Sequence, residues 1–152
     1  MKKLFTTIVL LSLGSHAFAQ ISNQGYQKLK LGMKTEEVKK IIDFKIEDNN
    51  ALVKYDNLNL KLNFSDDILW SIISSSKQTK IIGNNNLLIG KSYNQIKKLL
   101  GKKLVAATFD EPSTEYYIYH VDKKSKDNND TSCALRFNKK RILTEIISIY
   151  NP

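Results

Sequence analysis

A short pattern written twice constrains this chain more than any other feature. Leu31-Gly32-Met33-Lys34-Thr35-Glu36-Glu37-Val38-Lys39-Lys40-Ile41-Ile42 aligns with Ile89-Gly90-Lys91-Ser92-Tyr93-Asn94-Gln95-Ile96-Lys97-Lys98-Leu99-Leu100. Internal similarity of this kind marks one supersecondary unit used twice, each copy too small to bury its apolar face alone. Thr35 and Ser92 read as N-caps, because a hydroxyl there accepts an otherwise orphaned N–H of the first helical turn. Val38, Ile41 and Ile42 are spaced for one helix face, as are Ile96, Leu99 and Leu100. The spacing predicts two short amphipathic helices with lysines on their outer sides.

The pattern extends past the helices. Leu62-Asn63-Phe64 followed by Ile68-Leu69-Trp70-Ser71-Ile72-Ile73-Ser74 corresponds to Leu135-Arg136-Phe137 followed by Ile142-Leu143-Thr144-Glu145-Ile146-Ile147-Ser148, with one extra residue in the second turn. Leu58, Leu60, Leu62 and Phe64 alternate with Asn59, Lys61 and Asn63, the period of a strand buried on one side. Ser65-Asp66-Asp67 and Asn138-Lys139-Lys140-Arg141 are then hairpin turns, and further strands are expected over 51–56 and 114–121. An insertion between Gly101 and Leu135 ends in the polar run 122–130, which has few apolar groups to order it. The expected fold is α+β: two tandem units of a helix plus an antiparallel β-meander, forming one sheet with the helices on one face. The units are 20–75 and 87–152, joined by a linker over 76–86.

The first 19 residues read as a secretory signal. Lys2 and Lys3 supply charge, 4–13 form an apolar core, and Ala17-Phe18-Ala19 is a small-x-small cleavage site. The apolar run falls short of the roughly 20 residues that span a bilayer, which disfavours the alternative of a retained anchor. No cysteine follows it to carry a lipid. A soluble periplasmic or secreted protein is expected, with cleavage near Ala19 and no transmembrane segment in the mature chain. The formal charge of +9 comes almost wholly from lysine, the two arginines being Arg136 and Arg141. Such a charge would raise nucleic acid as a partner through phosphate contacts, but export argues against that partner. Solubility, anionic envelope surfaces or steering toward an acidic protein account for it instead.

Cys133 is the single cysteine, so no intramolecular disulfide can form. It shares strand spacing with Leu135 and Phe137, so it reads as a buried structural thiol, with an intermolecular disulfide as the alternative.

The residues Tyr26-Gln27-Lys28-Leu29-Lys30-Leu31-Gly32-Met33-Lys34-Thr35-Glu36-Glu37-Val38 resemble the repeat opening of beta-lactamase inhibitor proteins. The same pattern occurs in the outer-membrane assembly lipoprotein BamE and its relatives. The tandem arrangement, and the tyrosine-rich 115–120, favour the inhibitor family. That resemblance implies two units, each with helices packed on an antiparallel sheet. Departures are also present: the inhibitor's cysteine pairs are absent, Lys91 replaces the methionine in the second copy, and the lipidated cysteine of BamE relatives is missing.

Catalytic signals are thin. With His16 inside the signal, His120 stands alone, which excludes a multi-histidine zinc site and leaves a Cys133–His120 dyad as a remote option. Asp66-Asp67 and Asp110-Glu111 are adjacent acids that fit solvated turns or opposite strand faces better than acid/base catalysis. No phosphate-binding glycine loop or nucleophile elbow occurs. The expectation is a non-enzyme without cofactors or metal.

Binding has more support. Trp70, Tyr116, Tyr117 and Tyr119 are expected on strands of one sheet, with aromatics on both faces, and helices can cover only one. Exposed Trp and Tyr tend to dominate protein interfaces. The alternative places Trp70 in the core with the tyrosines at its edge. The inhibitor resemblance adds Asp48, in the turn Glu47-Asp48-Asn49-Asn50, as a loop residue entering a partner's cleft, against a plain solvated turn. The leading expectation is a module that blocks an enzyme through its sheet face, as an inhibitor or immunity protein acting on a secreted or periplasmic enzyme or toxin. The alternative is a non-lipidated accessory of envelope or outer-membrane assembly.

Overall fold

Leucines at every second position commit 58–64 to a strand with one dry side, and the computed structural model builds its main sheet around that strand. The structure describes residues 20–22, 24–107, 115–120 and 132–150. The expected signal segment, the Asp110-Glu111 pair and the 122–130 loop lie outside them. Seven antiparallel strands form the large sheet: β4 (Asn50–Tyr55), β5 (Leu58–Ser65), β6 (Ile68–Ser74), β8 (Leu104–Ala107), β9 (Glu115–His120), β10 (Ser132–Phe137) and β11 (Leu143–Ile149). Their spatial order is β4-β5-β6-β11-β10-β9-β8, so the two ends of the chain's meanders meet along β6 and β11.

A second sheet was not expected. It consists of β1 (Gln20–Ser22), β2 (Gly25–Tyr26), β3 (Leu29–Lys30) and β7 (Lys80–Ile81) in the order β3-β2-β1-β7. The single sheet expected from sequence is therefore corrected to two, and the segment 76–86 is more than a linker because it supplies β7, parallel to β1. Ile21, Tyr26, Leu29 and Ile81 of this small sheet are buried in the same core as Leu60, Leu62, Ile72, Leu135 and Ile146. Side chains bridge the layers: the Ser148 hydroxyl donates to the Ser22 carbonyl, and the Cys133 thiol approaches the Ile21 carbonyl at 3.9 Å.

Two helices, α1 (Thr35–Lys39) and α2 (Tyr93–Leu100), bring Val38 and Ile96 into that core. The N-cap of α1 is Lys34, the position matching Ser92, and Thr35 is the first helical residue. Thr35 is buried and its hydroxyl contacts the Asp67 carbonyl at 3.3 Å. At α2 the expected cap is present: the Ser92 N–H donates to Gln95 Oε1 at 2.9 Å, and the Gln95 N–H reaches the Ser92 hydroxyl at 3.5 Å, a capping box. The helix-face expectation holds for Ile96 and Leu100 but not for Leu99, which is 43% exposed.

Matching contacts tie each helix entry to its hairpin. Gly32 N–H donates to the Leu69 carbonyl and Leu69 N–H to the Met33 carbonyl; at the corresponding positions Gly90 N–H donates to Leu143 and Leu143 N–H to Lys91. Both hairpins also break register at the same place, between Asn63 and Phe64 and between Arg136 and Phe137. Trp70 and Thr144 are the residues left unpaired by these bulges. The turns differ as the extra residue requires. Asp66 and Asp67 both have positive φ, as in a two-residue type I′ turn. In the longer turn only Arg141 does.

Candidate protein-binding surface

Strand alternation fixes which side chains reach the open face of the large sheet, the one that no described helix or strand covers. Leu62 is buried, so its neighbours in sequence point the other way, and the paired residues on that other side form a row across all seven strands: Leu52, Lys61, Ile73, Ile147, Ala134, Ile118 and Val105. The row is apolar except at Lys61. Its middle is tight, with Ala134 and Ile147 buried, while its ends are open: Leu52 is 83% exposed and Val105 41%. One row away, Arg136 and Glu145 sit opposite each other and pair at 3.3 Å. Two adjoining grooves of about 480 and 570 Å³ run along the β4 end and share Leu52 and Lys61.

The residues expected to bind a partner fall in different places. Trp70 occupies the bulge of β6, 40% exposed, with its ring edge-on to Tyr150 at 5.8 Å, and its carbonyl accepts from the Tyr150 N–H at 2.7 Å. It is thus accessible but half-anchored. Tyr117 and Tyr119 are corrected away from the open face. They pair with Leu135 and Cys133, whose side chains are buried, and Tyr119 itself is 1% exposed. Burial, and then the neighbouring Cys133, push its hydroxyl pKa up. Tyr117 packs at 4.7 Å on Tyr93 and 5.3 Å on Phe137, and the Arg141 guanidinium both donates to its hydroxyl at 3.0 Å and lies 4.0 Å from the Tyr93 ring centre. This cluster clamps α2 to the sheet. Tyr116 takes its place in β9 opposite Arg136, and its side chain lies outside the described residues. Asp48 is exposed in a turn where it and Asn49 both have positive φ, which Asp and Asn tolerate better than most residues. The turn alone explains its identity.

Of the groups weighed for catalysis, Asp110 and Glu111 and the His120 side chain lie outside the described residues, and the others are not brought together. Cys133 is fully buried and burial pushes its thiol up to about 12, so it remains protonated and unreactive at neutral pH. His120 pairs in register with Ser132, one position off the Cys133 row. Asp66-Asp67 is a type I′ turn. Among the described residues no cluster of three His, Cys, Asp or Glu could hold a metal, and no helix is long and apolar enough to cross a membrane.

Leu52 and Val105 escaped notice in the sequence, although a signal was present. Ala51-Leu52-Val53 and Leu104-Val105-Ala106-Ala107 are apolar at consecutive positions, and a strand apolar on both faces must show one of them to something other than its own core.

Comparison with known proteins places one part of the chain. The family described as outer membrane protein assembly factor BamE domain matches residues 85–147, the stretch from just before α2 into β11. No curated protein matches. Among solved structures, an extracellular protein containing a SCP domain from Bacillus anthracis str. Ames is similar at 10% identity with a TM-score of 0.42, over 80% of this chain and 44% of that one. The chain spans less than half of that protein, and so low a TM-score carries no argument. The second part of the chain, from α2 to β11, is therefore BamE-like.

Proposed function

We propose that this protein is an exported, non-enzymatic accessory of envelope or outer-membrane assembly that works by binding another protein. The observation that carries the reading is the BamE-domain match over 85–147. The matched contacts at Gly32 and Gly90, and the bulges at the same place in both hairpins, support a finer reading in which 20–75 and 87–152 are two copies of one helix-and-meander unit. The inhibitor and immunity readings have no such support. Fold likeness alone never fixes an activity, so the assembly role stands or falls on a cellular test.

That test is deletion of the gene in its host, with outer-membrane protein levels and entry of a large antibiotic as readouts, together with cross-linking and capture on the mature chain. The expected outcome is lowered outer-membrane protein, restored by the exported chain, and capture of envelope-assembly components. Unchanged levels with no envelope protein captured would remove the reading.

A further inference from the structure

The two halves of the chain divide its charge unequally. Residues 20–75 carry eight lysines against eight acids, whereas 87–152 carry twelve lysines and arginines against seven acids. The positive excess therefore lies in the second half and in the two lysines between the halves. Matched positions show which acids are exchanged. Lys39 and Lys40 of α1 correspond to Lys97 and Lys98 of α2, but Glu36 and Glu37 correspond to Asn94 and Gln95, and the Asp66-Asp67 turn to Lys139-Lys140-Arg141. Lys39 accordingly has the Glu36 carboxylate at 2.9 Å, and Lys97, in the same place on α2, has no such partner among the described residues.

The fold gathers these charges beside α2. The Tyr93 N–H donates to the Arg141 carbonyl at 2.9 Å, which sets the turn 138–141 against the first turn of the helix. Lys97 Nζ and the Arg141 guanidinium both lie over the Tyr93 ring, 5.7 and 4.0 Å from its centre. Lys97, Lys98, Lys139 and Lys140 are exposed, and among the described residues no carboxylate pairs with any of them. Next to Lys98 stands the exposed Leu99, whose counterpart Ile41 packs against the core. Like charges held this close repel one another, and an acidic partner relieves that repulsion as it binds. A bilayer surface would call for a helix with a free apolar face to sink among the headgroups. The apolar face of α2, made by Tyr93, Ile96 and Leu100, is taken up by the core and leaves Leu99 alone.

We propose that the outer side of α2 and the turn 138–141 dock an acid-rich surface of a partner protein, with carboxylates on Lys97, Lys98, Lys139 and Lys140 and an apolar side chain on Leu99. Charge of this kind speeds encounter and selects the partner, and the leucine supplies the desolvated contact that exposed ion pairs lack. The first half, whose helix and turn carry acids of their own, does not compete for the same partner. The inference names a surface and a partner chemistry for the protein-binding role proposed above, and it rests on that role.

The test places a photo-cross-linking residue at Asn94 of the full exported chain in its host, with Lys40 on α1 as the control position; both are exposed. Asn94 should give an adduct with a protein whose linked segment, identified by mass spectrometry, is rich in Asp and Glu, and Lys40 should not. Lys98→Glu with Lys139→Glu and Lys140→Glu should lower that adduct by about tenfold or more. Exchanging the acids of the linked segment for lysine should restore it, a gain that a merely unfolded variant cannot give. No adduct, an equal adduct at Lys40, a phospholipid adduct, a linked segment without excess acid, indifference to the three reversals, or no restoration overturns the proposal. Where any of these results accompanies lowered outer-membrane protein on deletion of the gene, the assembly role survives without this surface; unchanged levels on deletion remove the role itself.

Discussion

The hairpin of β5 and β6 and the hairpin of β10 and β11 receive their helix entries through the same backbone contacts, yet they hold their helices differently. On the first side α1 is five residues long, capped by Lys34 with only the Glu37 carboxylate bonded back to its N–H at 2.8 Å. Among the described residues the aromatic contacts there are separate pairs, Phe44 stacked on Phe64 at 5.5 Å and Trp70 edge-on to Tyr150 at 5.8 Å. On the second side α2 has eight residues and a Ser92 capping box, and Tyr93 joins Tyr117, Phe137 and Arg141 in one cluster. The same backbone frame can thus be secured by a local cap or by distant rings. The second side uses both, so it should be the more stable of the two.

The largest effect tests this directly. Phe137→Ala removes a fully buried ring from two aromatic partners, Tyr93 and Tyr117, and should cost about 4 kcal/mol in urea unfolding, with Phe64→Ala, which is slightly exposed and has one aromatic partner, about 1 kcal/mol less. Equal costs would mean that the cluster adds nothing beyond burial.

The paired glycines sharpen the comparison next. Both have positive φ, +83° at Gly32 and +90° at Gly90, but a Cβ at Gly32 would lie 2.9 Å from the Tyr150 ring, whereas at Gly90 it meets only the Lys77 side chain at 3.9 Å. Gly90→Ala should cost about 1 kcal/mol from backbone strain alone, and Gly32→Ala clearly more. If Tyr150→Ala does not narrow the gap, the ring is not its cause.

Alkaline pH separates the halves by chemistry. Burial and then the Asp56 carboxylate push the Tyr26 hydroxyl up to about 12 from 10.0, and burial pushes Cys133 to about 12 from 9.0. Each group is neutral when protonated and gives up its proton earlier in the unfolded chain. Their stabilisation is therefore complete below about pH 9 and is lost as pH rises toward 12. Cys133→Ala should remove the decline that begins near 9, and Tyr26→Phe a share of the part that begins near 10, the buried Tyr119 hydroxyl supplying the rest, both followed by thermal unfolding across that range. The smallest effect concerns the caps: Ser92→Ala should cost about 1 kcal/mol, and Lys34→Ser should add a few tenths.

Much of this fold was legible because period and turn chemistry agree. The leucines of β5, the polar pair Asp66-Asp67 and the apolar run of β6 each point to one hairpin. The small sheet was not, since strands of two or three residues are too short to show a period, and the pairing of β1 with β7 joins residues about sixty apart. The candidate surface was half legible. Composition put aromatics on both faces of β9, but alternation cannot say which face the rest of the chain will cover, and Tyr117 and Tyr119 went to the covered one. The face of Trp70 was not legible for a different reason: a bulge takes its residue out of the alternation that would have assigned it one.

The seam between β6 and β11 pairs Ile146 with Ser74, Ile147 with Ile73 and Ser148 with Ile72. Exchanging each residue for its sequence counterpart in the other hairpin returns the same three pairs, with Ile73 and Ile147 facing each other at the centre. A register that maps onto itself is the geometry of an isologous two-fold interface, here enclosed within one polypeptide. Strand pairing alone therefore does not distinguish β6 meeting β11 from β6 meeting another β6. The tether between the hairpins makes the choice, by holding the correct partner at an effective concentration that a separate molecule reaches only when crowded.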